Sequence, residues 1–326
     1  MKAAVCDRPG TPDVIRVVEV DTPGVPADGV LVRVRAASVN PVDLFALSPV
    51  RHAARWAAGR GRPQPEIMGH DFAGTVAAVG NAVTAVRVGD EVFGSHTGTF
   101  AEYVSVPERA GVVGKPANLG FAAAAAAPVA ALTALQAVRD HGRLQPGQRV
   151  LVNGASGGVG HFAVQIAKAL GGEVTAVCST GKVATARELG ADRVIDYTRE
   201  DFTEGDRRYD LVVDVAGSRP WSRCIRVMEP GATLVITGAA SHVRSAWRML
   251  GHMAATRLAA IPGSRRATFF VARVTNDDLG VLGDMLAAGR IRPVLDERYP
   301  LCAVAAACRR LSEGHARGKI VIDIGG

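Results

Sequence analysis

The chain predicts an α/β protein in which a β-rich domain is joined to a doubly wound parallel sheet. Three features carry that expectation. From about residue 122, short apolar runs alternate with helical stretches: RVLVN, EVTAVC, RVIDY, YDLVVDV, ATLVITG and TFFVARV read as strands, with helices such as 182–189 and 221–228 between them. Before that point, short extended runs (VLVRVRAASV, GTVAAVG, AEYVSVP) are cut by Gly, Pro and Asp turns, the pattern of a small barrel. Finally, the strand RVLVN runs straight into a glycine-packed turn, NGASGGVG, that opens a helix.

At 326 residues the chain has room for two domains. After about 273 come a helix (277–288), an extended run (292–299), a helix (302–313) and a last strand, GKIVIDI. This tail is too short for a domain of its own, so it is expected to return to the first one. The predicted division is 1–121 with 274–326 for the barrel domain, and 122–273 for the parallel sheet. The run 120–138 is apolar, but its six successive alanines are weakly hydrophobic and Pro128 interrupts it. It predicts a buried or interfacial helix, with no stable membrane insertion.

Composition narrows the function classes. The apolar share is 48% and the charged share 21%, an ordinary globular balance. The net charge is +7, yet only five of the 38 basic residues are lysine, and the arginines (Arg207-Arg208, Arg265-Arg266, Arg309-Arg310) are scattered without interleaved aromatics. That distribution argues against nucleic-acid binding. The five cysteines form no CxxC pair, and with no signal peptide they predict reduced thiols in the cytoplasm.

The glycine turn carries the cofactor expectation. Gly154, Gly157, Gly158 and Gly160 let backbone N–H groups and a helix N-terminus approach a pyrophosphate. A site that prefers NAD usually places an acid on the ribose about 20 residues on. Here Cys178-Ser179-Thr180-Gly181-Lys182 stands at the end of the next strand, with two hydroxyls, a lysine and no acid. That set suits a 2′-phosphate and predicts NADPH.

Further segments accompany the turn: ASVNPVD (37–43), GHDFAGTVAAVG (69–80), VGDEVFG (88–94), GTFAEYVSVP (98–107), ALTALQAV (131–138), LGADRVIDY (189–197) and GHARGKIVIDI (314–324). Together they resemble the medium-chain dehydrogenase/reductase superfamily, and more closely its zinc-free quinone oxidoreductase branch. The resemblance implies a GroES-like β-barrel catalytic domain and a Rossmann NADPH-binding domain, with the active site in a cleft. It implies that Ser156, Gly157, Gly158 and Val159 line the pyrophosphate and that Ser179, Thr180 and Lys182 face the 2′-phosphate. Thr133 matches a threonine near the nicotinamide. Gly217 and Gly238 admit close approach of backbone to cofactor, and Phe270 and Val271 present backbone to the carboxamide. Tyr197 matches a tyrosine beside the adenosine phosphate, the alternative being core packing. Lys319 matches a lysine approaching the cofactor phosphates, the alternative being a surface lysine.

Zinc-dependent relatives hold their metal with Cys, His and Cys or an acid. Here Asn40 takes the first position, His70 the second, and Pro128-Val129 the third. One imidazole does not make a zinc site, so no metal is expected. Without a Lewis acid, an already electron-poor acceptor is the natural substrate, and the resemblance implies hydride transfer to a quinone or an α,β-unsaturated carbonyl. Asn40 is read as a donor to the developing oxyanion or a contact to the nicotinamide ribose, or else as a turn asparagine before Pro41. His70 supports its turn or relays a proton. His96 is read as a surface histidine, and Asp43 as a loop anchor.

The chain departs from the family at 45–64, where relatives carry a tyrosine and this chain has none; Phe45 and Trp56 either wall an aromatic substrate or pack beneath a loop. A second departure is 243–262, an amphipathic helical pattern read as a cap or a dimer contact. These stretches motivate an alternative, an enoyl reductase tailoring a natural-product intermediate; a cofactor-binding protein with little turnover is the third reading. Relatives dimerise through Rossmann sheet edges, which makes TFFVARV the candidate edge of a homodimer.

Overall fold

Strands in the first 114 residues pair antiparallel, because short turns return the chain directly to its neighbour. The structure, a computed structural model, describes residues 1–49, 66–237, 264–314 and 316–325. The chain divides into two compact units: Met1–Leu132 with Val274–Gly289 and Pro293–Gly326, and Thr133–Arg273 with Arg290–Arg292. Gly238, Trp56 and the pattern at 243–262 lie outside the described residues.

The first unit begins with β1 (Lys2–Cys6), β2 (Arg16–Glu19) and β3 (Gly29–Val39). Next come β4 (Glu66–Ile67), β5 (Asp71–Val79), β6 (Glu91–Ser95), β7 (Tyr103–Pro107) and β8 (Val112–Gly114). A short helix, α1 (Pro41–Ala46), leaves the end of β3, with Pro41 at its first turn where a missing N–H costs nothing. The apolar run at 120–138 is not one helix. It divides into α2 (Phe121–Ala125) and α3 (Pro128–Leu135), because Pro128 cannot continue the preceding turn. Gln136–His141 then forms a π-helical turn. Among the described residues no helix is long and apolar enough to cross a membrane.

The second unit holds β9 (Arg149–Asn153), β10 (Glu173–Cys178), β11 (Arg193–Asp196), β12 (Tyr209–Asp214), β13 (Met228–Ile236) and β14 (Arg266–Phe269). Every pairing is parallel, in the order β11-β10-β9-β12-β13-β14. Counted from the first strand this is 3-2-1-4-5-6, the doubly wound order of a dinucleotide-binding fold. Val150, Leu151 and Val152 on β9 are fully buried, as a strand covered on both faces requires. The connecting helices are α4 (Gly160–Ala169), α5 (Val183–Glu188) and α6 (Trp221–Cys224). Two expectations change here. The helix over 221–228 is only one turn before a 3-10 turn at Ile225–Val227. The edge strand is Arg266–Phe269 rather than TFFVARV. Beyond Phe269 the backbone leaves the sheet: Gln136 donates to the Arg273 carbonyl at 2.8 Å and accepts its N–H at 3.0 Å, replacing strand partners.

The chain returns to the first unit through α7 (Asn276–Ala287), β15 (Leu295–Pro300), α8 (Val304–Ser312) and β16 (Lys319–Asp323). β16 pairs antiparallel with β3, with Ile320 opposite Val39, while β5 pairs on the other edge of β3 with Asp71 opposite Ser38. These registers bring Lys319, Asn40 and Asp71 together. Phe72, Phe100, Val32, Val92 and Ile322 build the core beneath, and α8 adds Val304, Ala307 and Cys308.

The start of α7 is tied to the sheet by Asn276, which accepts from Gly111 N–H at 2.8 Å and donates to the Glu108 carbonyl at 2.7 Å. The Glu108 carboxylate in turn accepts N–H bonds from Ala85 (2.5 Å) and Thr84 (2.6 Å), which hold its pKa below the ordinary 4.5. An acid lowered on folding stabilises above its unfolded value, and that contribution disappears as pH falls through its native value. Glu108→Gln should therefore lower the melting temperature at pH 7, with the gap to wild type closing below about pH 4.5. Thermal melts across pH 7 to 3.5 test this, and a gap independent of pH would contradict it.

Candidate functional site

In the first unit, the end of β3 gathers buried charge. Asn40 stands at the N-cap of α1 with extended backbone (φ −129°, ψ 158°). Its backbone N–H donates to Asp43 Oδ2 at 2.7 Å, the reciprocal half of a capping box. Its side chain turns away from the helix. Nδ2 donates to Asp71 Oδ2 at 2.8 Å and to the Ser38 carbonyl at 3.3 Å, while Oδ1 accepts from Lys319 Nζ at 2.6 Å. Asp71 also accepts from Ser38 Oγ (2.8 Å) and Val129 N–H (2.9 Å). Asp43 Oδ1 lies 2.6 Å from His70 Nδ1. Asp43 and Asp71 are fully buried, and His70 keeps 23% of its side chain exposed. Burial pushes the Asp43 carboxyl up, against the lowering pull of its bond to His70. Burial likewise pushes Lys319 down, opposed by Asp71 and then Asp43.

One alternative is removed by this geometry, that of Lys319 as a surface lysine. Asn40 has both amide N–H groups engaged inside its own unit. Lys319 is buried within the first unit. It is 2% exposed, and its ammonium is taken up by Asn40, the Val39 carbonyl at 3.3 Å and Asp71 at 3.6 Å. Asp43 does more than anchor a loop, because it also holds the His70 ring. His96 donates its backbone N–H to the His70 carbonyl at 2.8 Å, and its ring is half-exposed. Phe45 is exposed at 44%.

The donor set does not fit zinc. An amide beside a lysine ammonium stands at the first position. The third position offers a proline and the Val129 N–H, itself bonded to Asp71. Among the described residues no three His, Cys, Asp or Glu are grouped to hold a metal.

In the second unit the glycine turn leaves the C-terminal end of β9. Gly154 adopts φ +85°, a conformation that favours glycine. Gly157 N–H closes the turn on the Gly154 carbonyl at 3.0 Å. A Cβ on Gly160 would stand 2.0 Å from the Gly154 oxygen, so the helix start packs onto the strand end only without one. His161, fully interior, bonds Gly157 O through Nδ1 at 2.9 Å and holds the turn from behind. Ser156, Gly157, Gly158 and Val159 stay half-exposed, so this turn fits a dinucleotide pyrophosphate. Beside it, Asp214 accepts from Asn153 Nδ2 and Gly217 N–H, both at 2.8 Å, and Gly217 takes φ +60°.

At the end of β10, Ser179 and Lys182 are half-exposed and Thr180 is exposed. Thr180 Oγ1 donates to Asp196 Oδ2 at 2.6 Å. Asp196, at the end of β11, is an acid absent from the sequence expectation, which looked only at the preceding strand end. The Thr180 and Thr198 hydroxyls hold its pKa low, and Arg199 stands 3.7 Å away. Tyr197 is 56% exposed, which removes core packing as its role. Thr133 is half-buried on α3. Phe270 stacks on His141 with ring centroids 4.1 Å apart, and Val271 is 80% exposed.

Asp71, Asp196, Asp214, Gln136 and His161 are the residues that sequence reasoning missed. Asp71 follows His70 directly in GHDFAG, and Asp196 and Asp214 each end a strand, a position that was a readable signal. Gln136 and His161 act through contacts that no local pattern announces.

Fold and turn together define a Rossmann-type dehydrogenase or reductase carrying a second, β-rich domain. Comparisons with known proteins agree. Residues 26–117 match the alcohol dehydrogenase GroES-like domain, and residues 189–322 match the family described as zinc-binding dehydrogenase. The 2-methylene-furan-3-one reductase of Solanum lycopersicum is 34% identical over 99% of this chain and 79% of its own length. The chloroplastic NADPH-dependent alkenal/one oxidoreductase of Arabidopsis thaliana is 33% identical with the same coverage. The quinone oxidoreductase structure from Coxiella burnetii superposes with a TM-score of 0.88 at 29% identity, covering 100% of this chain and 99% of that one. The chain belongs to the medium-chain dehydrogenase/reductase superfamily, in its quinone oxidoreductase branch.

The packing at the glycine turn is testable. Gly160→Ala should cost about 2–3 kcal/mol or more, since the added methyl meets backbone that cannot give way easily. Denaturant unfolding measures this, and a loss under about 0.5 kcal/mol, the size of an ordinary surface change, would refute the close approach.

Proposed function

We propose that this protein is a zinc-independent, NADPH-dependent reductase that delivers hydride to a quinone or an α,β-unsaturated carbonyl. The observation that carries the reading is the half-exposed glycine turn at the C-terminal end of β9 in a 3-2-1-4-5-6 sheet. The names of the tomato and Arabidopsis relatives support an enone acceptor, and that of the Coxiella protein a quinone.

In this reading the second unit is the cofactor domain and the first unit the catalytic domain. Ser156, Gly157, Gly158 and Val159 line the pyrophosphate, with the backbone N–H groups of Ser156, Gly158 and Val159 as its donors. Ser179 and Lys182 bind the 2′-phosphate beside Thr180 and Arg199, with the charge of Asp196 already engaged by two threonine hydroxyls. The exposed Tyr197 ring lies along the adenosine side. Gly217 and Gly238 permit close backbone approach, Thr133 contacts the nicotinamide end, and Phe270 and Val271 offer backbone to its carboxamide. When bound, the cofactor supplies hydride, which an electron-poor acceptor accepts without a Lewis acid. The chain then supplies a proton. His70 is the candidate donor, with its ring set by a carboxylate at Nδ1 as in general acids elsewhere. The five free thiols suit a reducing compartment such as the cytoplasm, and the β14 edge is the surface through which a homodimer would form.

The test follows absorbance at about 340 nm with NADPH and NADH, against 1,4-benzoquinone, 9,10-phenanthrenequinone and a simple enone, with chelator present. NADPH oxidation well above NADH oxidation, unaffected by chelator, is expected. Tight NADPH binding with no acceptor reduced would point to a larger dedicated enoyl substrate or to a binding protein. Lys182→Ala should raise the KM for NADPH roughly tenfold to a hundredfold, the value of one charge-assisted bond, with little change in kcat or in the KM for NADH. An unchanged KM for NADPH would remove the 2′-phosphate assignment.

A further inference from the structure

We propose that Lys319 is a positioning residue for the reduction: its buried ammonium orients the Asn40 amide and balances Asp71, and so sets the Asp43–His70 pair. The inference rests on the reductase reading above and on the part of His70 in it.

The amide of Asn40 is read by charge at both ends. Lys319 Nζ faces Oδ1 at 2.6 Å and the Asp71 carboxylate faces Nδ2 at 2.8 Å. A flipped amide would set N–H against ammonium and oxygen against carboxylate, so only one orientation is stable. With the side chain fixed, the Asn40 backbone N–H stays on Asp43 Oδ2, leaving Asp43 Oδ1 for His70. Four groups on four separate segments thus form one chain of contacts: β16, the β3–α1 junction, α1 and the residue before β5.

Charge makes the same point. Two carboxylates, Asp43 and Asp71, are fully buried within one cluster, and burial together with the nearby Asp71 raises the cost of ionising Asp43. Lys319 is the buried cation that faces them. Among the described residues, Ser38 Oγ from β3, Val129 N–H from α3 and, from α8, the Cys308 thiol, whose pKa is pushed up to about 12 by burial, add neutral neighbours. His70 stands against Asp43 at the exposed edge of the cluster. Buried ion clusters of this kind are a costly way to hold a strand end, and apolar side chains would serve packing as well. Their arrangement behind a partly exposed imidazole points to tuning of that imidazole.

Lys319→Met removes the charge at nearly constant length. We expect kcat to fall about tenfold or more while the KM for NADPH stays within about twofold, with partial recovery of kcat in Lys319→Arg. A raised KM for NADPH at unchanged kcat would make Lys319 a cofactor contact and overturn the proposal, as would unchanged kinetics. Should Lys319→Met not fold, the double variant Lys319→Met/Asp71→Asn restores charge balance but leaves Asn40 Oδ1 without its cationic donor. A folded double variant with low kcat supports the proposal, and wild-type kcat overturns it. An NMR titration of the His70 ring separates this inference from the reductase reading. Loss of the nearby cation should make the pair hold its proton more tightly, moving its titration upward even if no acceptor is reduced. An unmoved titration sinks the positioning role, whereas inactivity of the wild type alone sinks only the reductase reading.

Discussion

The antiparallel register of β16 on β3 is the constraint on which the first unit depends. It brings Lys319 beside Val39, 280 positions away in the chain, and buries an ammonium against two carboxylates that would otherwise be intolerable there. Isolated ions are expensive away from water, so each group is acceptable only because the others are present. The cluster therefore couples the end of one strand, the cap of a helix and the turn before another strand into a single unit. Loss of one charge would be felt at all of them.

The second unit meets a different constraint, the close packing of a helix start against the end of a strand. Parallel strands covered on both faces leave their C-terminal ends as the place where loops diverge. There, Gly160 allows the helix to start against the strand, and Gly154 allows the chain to reverse. Asp214 and Asn153 stiffen the neighbouring loop, and Gln136 does the same for the segment after β14.

The donor set at the end of β3 is decided by a few side chains. Where a metal would need soft or anionic donors, this chain places an amide already saturated by hydrogen bonds and an ammonium next to it.

Much of this was legible in the sequence by itself. Apolar runs of strand length between helical stretches announced the parallel sheet, because periodicity and glycine placement are local properties. Asn40 before Pro41 and the glycine turn followed from backbone constraints that any fold must respect. Tertiary structure alone decided where Lys319 points, that both Asn40 amide N–H groups are engaged, and that Asp196 stands beside Thr180. It also decided that the edge strand stops at Phe269. Each of these depends on a partner distant in the chain, and a side chain's hydrogen bonds are settled only once register and packing bring that partner within reach.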